Sequence, residues 1–267
     1  MPEGDTVWLT ARRLAVALAG QPLTHADLRV PQHATADLTG RTVTEVLARG
    51  KHLLIRIEPD LTLHTHLGMD GSWRLFPAGT AFPGPREPVR VVLANARAVA
   101  IGRSLARVDL VPTEREDTLV GHLGPDLLGP DWDQAEAVRR LADQPDRTIG
   151  EALLDQRNLA GIGNLYRAEV LFLRGVPPTA PVSAAGDLTR MVRLARQLLW
   201  VNREHPEQAT TGDLRRGRGH WVYGRAGEPC RRCRTRIRRG ELGPPGQERV
   251  TFWCPHCQPD PASSEAG

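Results

Sequence analysis

The chain has 267 residues, 40% of them hydrophobic and 25% charged, with a formal net charge of +4. At roughly 100 to 200 residues per domain this length implies two domains and excludes a staple-dependent miniprotein. No apolar run reaches the ~18 to 20 residues that span a bilayer, and Met1-Pro2-Glu3-Gly4-Asp5 lacks the basic-then-apolar layout of an export signal, so a cytoplasmic protein with no membrane partner is expected.

Val7, Ala11, Leu14 and Leu18 recur at helical spacing before Gly20, predicting one amphipathic helix capped by Gly4 or Asp5. From 23 to 111 the pattern becomes short and β-like, with runs at 42–47, 52–57, 61–67, 72–76, 89–93, 98–101 and 108–111 separated by Gly, Pro and Asp. Seven such runs predict a β-sandwich or barrel. Residues 112–133 are rich in Pro, Gly, Asp and Glu without sustained periodicity and read as a linker. Helical periodicity returns at 134–142, 149–156, 164–174 and 187–201. The segment Leu159-Ala160-Gly161-Ile162-Gly163-Asn164 is a glycine turn ahead of a helix start, where a phosphate would fit; an ordinary helix-turn-helix corner is the plainer reading. Residues 259–267 read as a disordered tail.

The charge is uneven. Residues 1–200 carry 23 basic and 23 acidic side chains, whereas 201–267 carry 12 Arg against 8 acids, so a polyanion would dock on the last quarter, unless the surplus is simply a solvated face. Of 35 basic residues 34 are Arg, and the single Lys, Lys51, is a candidate for chemistry that needs a cation able to release its proton. The four cysteines form two CxxC pairs, Cys230/Cys233 and Cys254/Cys257, separated by 20 residues. That spacing suits a closed tetrahedral zinc site with a structural role, one ion per chain. Two disulfides are the alternative, disfavoured by a reducing compartment and by the adjacent CxxC turns. Between the pairs, 235–239 and 249–253 read as two strands joined at 240–246, a basic hairpin able to present Arg249 to a phosphate. His220 and His256 read as surface or packing residues, and His64, His66 and His122 as packing or polar contacts.

Taken together, Met1-Pro2-Glu3-Gly4, Arg49-Gly50-Lys51, the run His66 to Ser72, Leu154-Asp155-Gln156 through Asn164, Val222 to Cys230, and Arg249 to Cys257 resemble the formamidopyrimidine-DNA glycosylase and endonuclease VIII family. The matches fall in order across nearly the whole chain, and the MPEG start favours the endonuclease VIII branch. The resemblance implies a multidomain α+β fold. It would comprise an N-terminal β-sandwich catalytic domain with a leading helix (1–111), the linker (112–133), a helix-two-turn-helix DNA-binding domain (134–224) and a C-terminal zinc ribbon (225–258).

The implied function is a bifunctional DNA glycosylase and abasic-site lyase of base excision repair. It would act as a monomer on damaged double-stranded DNA, without a nucleotide or redox cofactor or a catalytic metal. Pro2, freed by loss of Met1, becomes a secondary amine with an ordinary α-amino pKa of ~7.7 to 8. Its attack on C1′ expels the base and leaves an iminium that acidifies the C2′ proton, so that elimination of the 3′ phosphate follows. Glu3 is the candidate general acid. By the resemblance Lys51 contacts the lesion phosphate and serves β-elimination, Arg249 grips flanking phosphates and serves δ-elimination, and Asn164 hydrogen-bonds the DNA backbone.

Extrusion of the nucleotide leaves a gap that a side chain must fill. Met69 matches a void-filler of the family, and Arg103 with Leu105 resembles an Arg-x-Phe pair with its stacking ring replaced. Thr6 stands where the family usually has Glu, which bears on base preference. The loop with Arg215, Arg216, Arg218 and His220 either covers the flipped base or is solvated. Oxidised pyrimidines are the favoured lesion, and 8-oxoguanine or formamidopyrimidine the second. Abasic-site cleavage with weak base removal, and a noncatalytic zinc-ribbon protein that binds damaged DNA, remain as alternatives.

Overall fold

The computed structural model describes residues 2–82 and 88–260, which form two compact units, Met1–His122 and Leu123–Gly267. The tail expected at 259–267 falls, from 261 onward, outside the described residues.

The first unit opens with helix α1 (Gly4–Leu18), whose Val7, Ala11, Leu14 and Leu18 form the buried stripe set by their spacing. Two antiparallel sheets follow. One runs β1 (Gln21–Pro22), β3 (Thr42–Arg49), β4 (His52–Ile57), β5 (Leu61–His66) and β9 (Arg107–Pro112) in that spatial order. The other runs β2 (His25–Leu28), β7 (Val89–Ala94), β8 (Ala98–Arg103) and β6 (Ser72–Pro77). The two-residue β1 and the short β2 carry no apolar alternation, which is why they escape the sequence pattern.

The main core takes α1 together with alternate residues of both sheets, among them Leu53, Ile55 and Ile57 of β4, Leu63 of β5, Val108 of β9, and Val91 and Leu93 of β7. Period-2 alternation sends the intervening residues of β4, β5 and β9 to the opposite face of the five-stranded sheet. That face carries His52 and Arg56, Thr62, His64 and His66, and Arg107 and Asp109.

Residues 112–133, read from their composition as the linker, carry ordered structure. Glu116 accepts two hydrogen bonds from Arg56, each 2.8 Å, and one from Thr62 Oγ1 at 2.6 Å, tying the stretch after β9 onto the sheet. The Arg56 guanidinium holds the Glu116 carboxyl below its ordinary range. A short helix, α2 (Asp117–Val120), ends the unit. From Leu123 the chain is already part of the second unit: Leu127 is fully buried, and Asp126 bridges to Ala160 and accepts the Leu128 N–H.

The second unit contains α3 (Gln134–Ala142), α4 (Ile149–Leu154), α5 (Asn164–Arg174), α6 (Leu188–Asn202) and a two-stranded ribbon of β10 (Arg238–Leu242) and β11 (Arg249–Trp253). The first ribbon strand begins three residues later than its sequence pattern suggests. Thr235 and Ile237 are already engaged, through Cys230 N–H to Thr235 O and Ile237 N–H to Glu228 O, in closing the first cysteine turn. Truncation of Ile55, fully buried in the first unit, to alanine is expected to lower stability by about 2 to 5 kcal/mol, read as a shifted midpoint in urea unfolding.

Candidate active site and metal centre

At the start of α1, Pro2 is half-buried and Glu3 is fully buried, with Glu3 in an extended conformation at the N-cap. Its backbone carbonyl accepts the Val7 N–H at 3.0 Å, so the first helical turn fixes the carboxylate's backbone. Thr6 lies one turn along, its N–H on Asp5 Oδ1 at 2.8 Å and its carbonyl accepting Thr10 Oγ1.

Lys51 occupies the two-residue turn between β3 and β4, where Gly50 takes the positive φ of 58° that the turn needs. Beyond β5, Met69 stands 71% exposed at the tip of a turn closed by Gly71 N–H to Leu67 O, a placement suited to insertion into a neighbouring molecule. Arg103 ends β8 and is half-buried. Leu105 corrects the sequence expectation. It is 1% exposed in the main core, packed against Gly102, and presents no side chain to a base stack. An aliphatic side chain with no polar edge turns inward where the resemblance suggests an outward ring.

Behind Lys51 lies a group of histidines, of which sequence reasoning takes His64, His66 and His122 as packing or polar contacts and does not single out His52. Register places His52 opposite His66 and His64 opposite Asp109. His64 Nδ1 is 3.0 Å from Asp109 Oδ2, and His64 Nε2 is 2.8 Å from His52 Nδ1. The His66 ring meets His52 edge-on with centroids 5.1 Å apart, and His66 Nδ1 accepts the Gly68 N–H at 3.0 Å. His122 stands edge-on to His52 at 6.2 Å. Burial pushes His52, His64 and His66 below the ordinary imidazole range, His52 to about 3, reinforced at His52 by its histidine neighbours and at His66 by Lys51. The signal in the sequence was His at 52, 64 and 66, on alternate residues of adjacent strands, but only the strand register shows that they share a face.

In the second unit Asn164 begins α5, and its Nδ2 donates to Val250 O at 2.7 Å; Arg167, fully buried, donates to the same carbonyl at 2.9 Å. Asn164 is thus joined to the residue next to Arg249, which is exposed at the start of β11. Gln156 braces the preceding glycine turn, accepting the Gly161 N–H and donating to Leu154 O and Ile162 O.

Glu169, also fully buried, was not singled out by sequence reasoning. It accepts the Trp221, Val222 and Tyr223 N–H groups, each at 2.8 Å, and the Thr210 hydroxyl, closing the base of the loop 211–220. That loop and its neighbours line a cavity of about 380 Å³ with Leu214, Arg216, His220 and Tyr223. Arg215 pairs with Asp213 at 2.6 Å.

The four cysteines are free thiols whose sulfurs all lie within 4.8 Å of one another. The close pairs are Cys233–Cys254 at 3.4 Å, Cys233–Cys257 at 3.6 Å and Cys230–Cys257 at 3.9 Å. A tetrahedral ion with metal–sulfur bonds of ~2.3 Å needs sulfurs about 3.8 Å apart, so the cluster fits a metal ion and is too wide for disulfides. Burial pushes the Cys254 and Cys257 thiols up, whereas a hydrogen bond with Thr235 lowers Cys233 to about 6.

Comparisons with known proteins show the family. The family model of the formamidopyrimidine-DNA glycosylase N-terminal domain matches residues 1–110, and that of the formamidopyrimidine-DNA glycosylase H2TH domain matches 123–201. The chain is 53% identical to "Probable endonuclease 8 2" of Streptomyces coelicolor, covering 100% of this chain and 97% of that protein. It is 50% identical to "DNA-(apurinic or apyrimidinic site) lyase Nei2" of Mycolicibacterium smegmatis, covering 97% and 99%. A Lactococcus lactis Fpg structure with abasic-site DNA shares the fold at a TM-score of 0.77 and 24% identity, covering 97% of this chain and 100% of that one. The chain therefore belongs to the formamidopyrimidine-DNA glycosylase family, as a DNA-repair enzyme of the glycosylase and abasic-site lyase class.

Two outcomes follow from the buried groups. An imidazole that resists protonation when folded contributes stability that is complete above the unfolded value near 6.5 and is lost as pH falls toward the folded value. Thermal melts between pH 7.5 and 5 should therefore show a larger drop in Tm for wild type than for His52→Gln. Glu169→Ala strands three backbone N–H groups and should cost about 3 to 5 kcal/mol, measured by urea unfolding.

Proposed function

We propose that the protein removes oxidised bases, pyrimidines foremost, from duplex DNA and then cuts the strand by β- and δ-elimination through a Schiff base on Pro2. The observation that carries this reading is the pairing of a half-buried Pro2 with a carboxylate, Glu3, held fully buried at the first turn of α1.

Loss of Met1 exposes the Pro2 amine, a fraction of which is neutral near pH 7. The nitrogen lone pair bonds to C1′ as the C1′–base bond breaks and the base leaves with those electrons. The departing base takes up the proton shed by the Pro2 nitrogen, Glu3 gives a proton to the ring oxygen as the C1′–O4′ bond breaks toward that oxygen, and the sugar opens to an iminium on Pro2. This cation withdraws electrons from C2′, a C2′ proton is lost, and the 3′ C–O bond breaks to release phosphate. Lys51 binds the lesion phosphate and donates a proton as it leaves. Arg249 grips flanking phosphates and assists the second elimination, and Asn164 braces that grip through Val250 while offering its amide to the DNA backbone. Met69, exposed on its turn, fills the gap left by the extruded nucleotide, and Arg103 contributes a further contact to the DNA.

Zinc is the ion that suits Cys230, Cys233, Cys254 and Cys257. Held by these four thiolates it would leave no open position for water or substrate and would tie together the ends of the β10–β11 hairpin. The protein works as a monomer in the cytoplasm and needs no nucleotide or redox cofactor. Among the described residues no helix is long and apolar enough to cross a membrane.

Borohydride trapping on a duplex with one abasic site tests the imine. Wild type should give a covalent adduct, Pro2→Gly should reduce it at least about 100-fold, and Glu3→Gln should lose base removal by about 10² to 10⁴ while still trapping on a preformed abasic site. A strong adduct from Pro2→Gly would overturn the assignment. Metal analysis should return one zinc per chain, and Cys233→Ser should lose the ion together with protection of the hairpin from proteolysis.

A further inference from the structure

The catalytic reading uses Lys51 and leaves the imidazoles behind it without a task. Their hydrogen bonds fix where each proton sits. Asp109 is a carboxylate and accepts, so His64 Nδ1, 3.0 Å away, carries the hydrogen. In neutral His64 the other nitrogen, Nε2, is a lone pair, and His52 Nδ1 at 2.8 Å must donate to it. His52 Nε2 is then itself a lone pair. His66 is set differently: its Nδ1 accepts the Gly68 N–H, so its hydrogen lies on Nε2. His66 can therefore donate to an anion while remaining neutral, and protonating its Nδ1 would sever the bond to Gly68.

We propose that Asp109, His64 and His52 form a proton relay that takes up one proton when a DNA phosphate docks beside Lys51 and His66, making phosphate binding at this sheet edge proton-linked. The inference rests on the reading of Lys51 as a DNA-phosphate contact. The proton enters at His52 Nε2. The hydrogen on His52 Nδ1 crosses to His64 Nε2, and the positive charge settles on His64 against Asp109. One proton is gained and no other bond changes. His52 ends neutral, with its Nε2 converted from acceptor to donor.

The free protein disfavours that charge because the imidazoles are buried, and the cations and imidazoles around the stack add to the cost. Arg49 lies opposite His52 on β3, Lys51 precedes it in the turn, His64 and His66 face it from β5, Arg107 and Asp109 follow on β9, and His122 stands after α2. Asp109 is the single anion among them and is shared with Arg107 at 3.1 Å. A docked phosphate adds a second anion and shifts the balance toward the protonated relay. By reciprocity, the same coupling makes DNA bind more tightly as pH falls.

The test is the affinity for a duplex carrying a tetrahydrofuran abasic analogue, measured by anisotropy from pH 8 to 5.5 at constant ionic strength. Wild type should tighten several-fold per pH unit, up to the ~tenfold that one linked proton permits. Asp109→Asn and His52→Gln should flatten the slope to less than about twofold per unit, whatever their affinity at pH 8. Calorimetry of wild type in two buffers of different ionisation heat counts the protons without any variant, and close to one is expected at pH 6.5. An unchanged slope in both variants, or no proton uptake by wild type that binds, overturns the relay. Absence of binding at every pH removes instead the DNA reading beneath it.

Discussion

The pairing of β4 with β3, β5 and β9 is the constraint on which the first unit depends. Side chains alternate with a period of two, so a slip of one residue would send His52 and Arg56 into the core and Leu53, Ile55 and Ile57 out. The register is held at one end by the turn at Gly50-Lys51, and on the outer face by Arg56 gripping Glu116. The same choice of register therefore builds the apolar interior, places the lone lysine at the tip of a hairpin and lines up the histidines behind it. Substitutions of Gly50, which needs a positive φ, are thus expected to act on the site through the sheet.

The second unit solves a different problem, that of holding loops with little apolar area. It does so with buried polar and charged groups that bind backbone atoms. Glu169 gathers three consecutive N–H groups, and Arg167 with Asn164 meets a strand carbonyl. Buried ions are costly when unpaired and specific when paired, so each of these groups admits one arrangement of the chain around it. Around the cysteines, where the apolar cluster is small, the sulfur cage adds a further tie.

Much of this was legible in the sequence wherever the pattern was local. The helices at Gln134–Ala142 and Asn164–Arg174 and the strands at His52–Ile57 and Arg249–Trp253 coincide with their apolar periodicity, and the CxxC spacing alone announces the sulfur cluster. What was not legible depends on partners distant in the chain. β2 is a strand because β7 lies beside it, and β10 starts late because the preceding residues close the cysteine turn. Leu105 turns inward because a core is waiting for it. The histidine stack is three unremarkable residues until two strand pairings bring them together, and Glu169 in a helix looks like any surface acid until the loop at 221–223 folds over it.

The Val250 carbonyl oxygen receives two side chains from α5, yet it belongs to the backbone. A backbone acceptor has no identity to lose: any residue at 250 other than one that disturbs the strand offers the same oxygen in the same place. The information specifying this junction is therefore written entirely on one side, at 164 and 167. Among relatives, position 250 should drift freely while its two donors stay fixed, an asymmetry that a search for co-varying residue pairs would miss because only one partner has anything to vary.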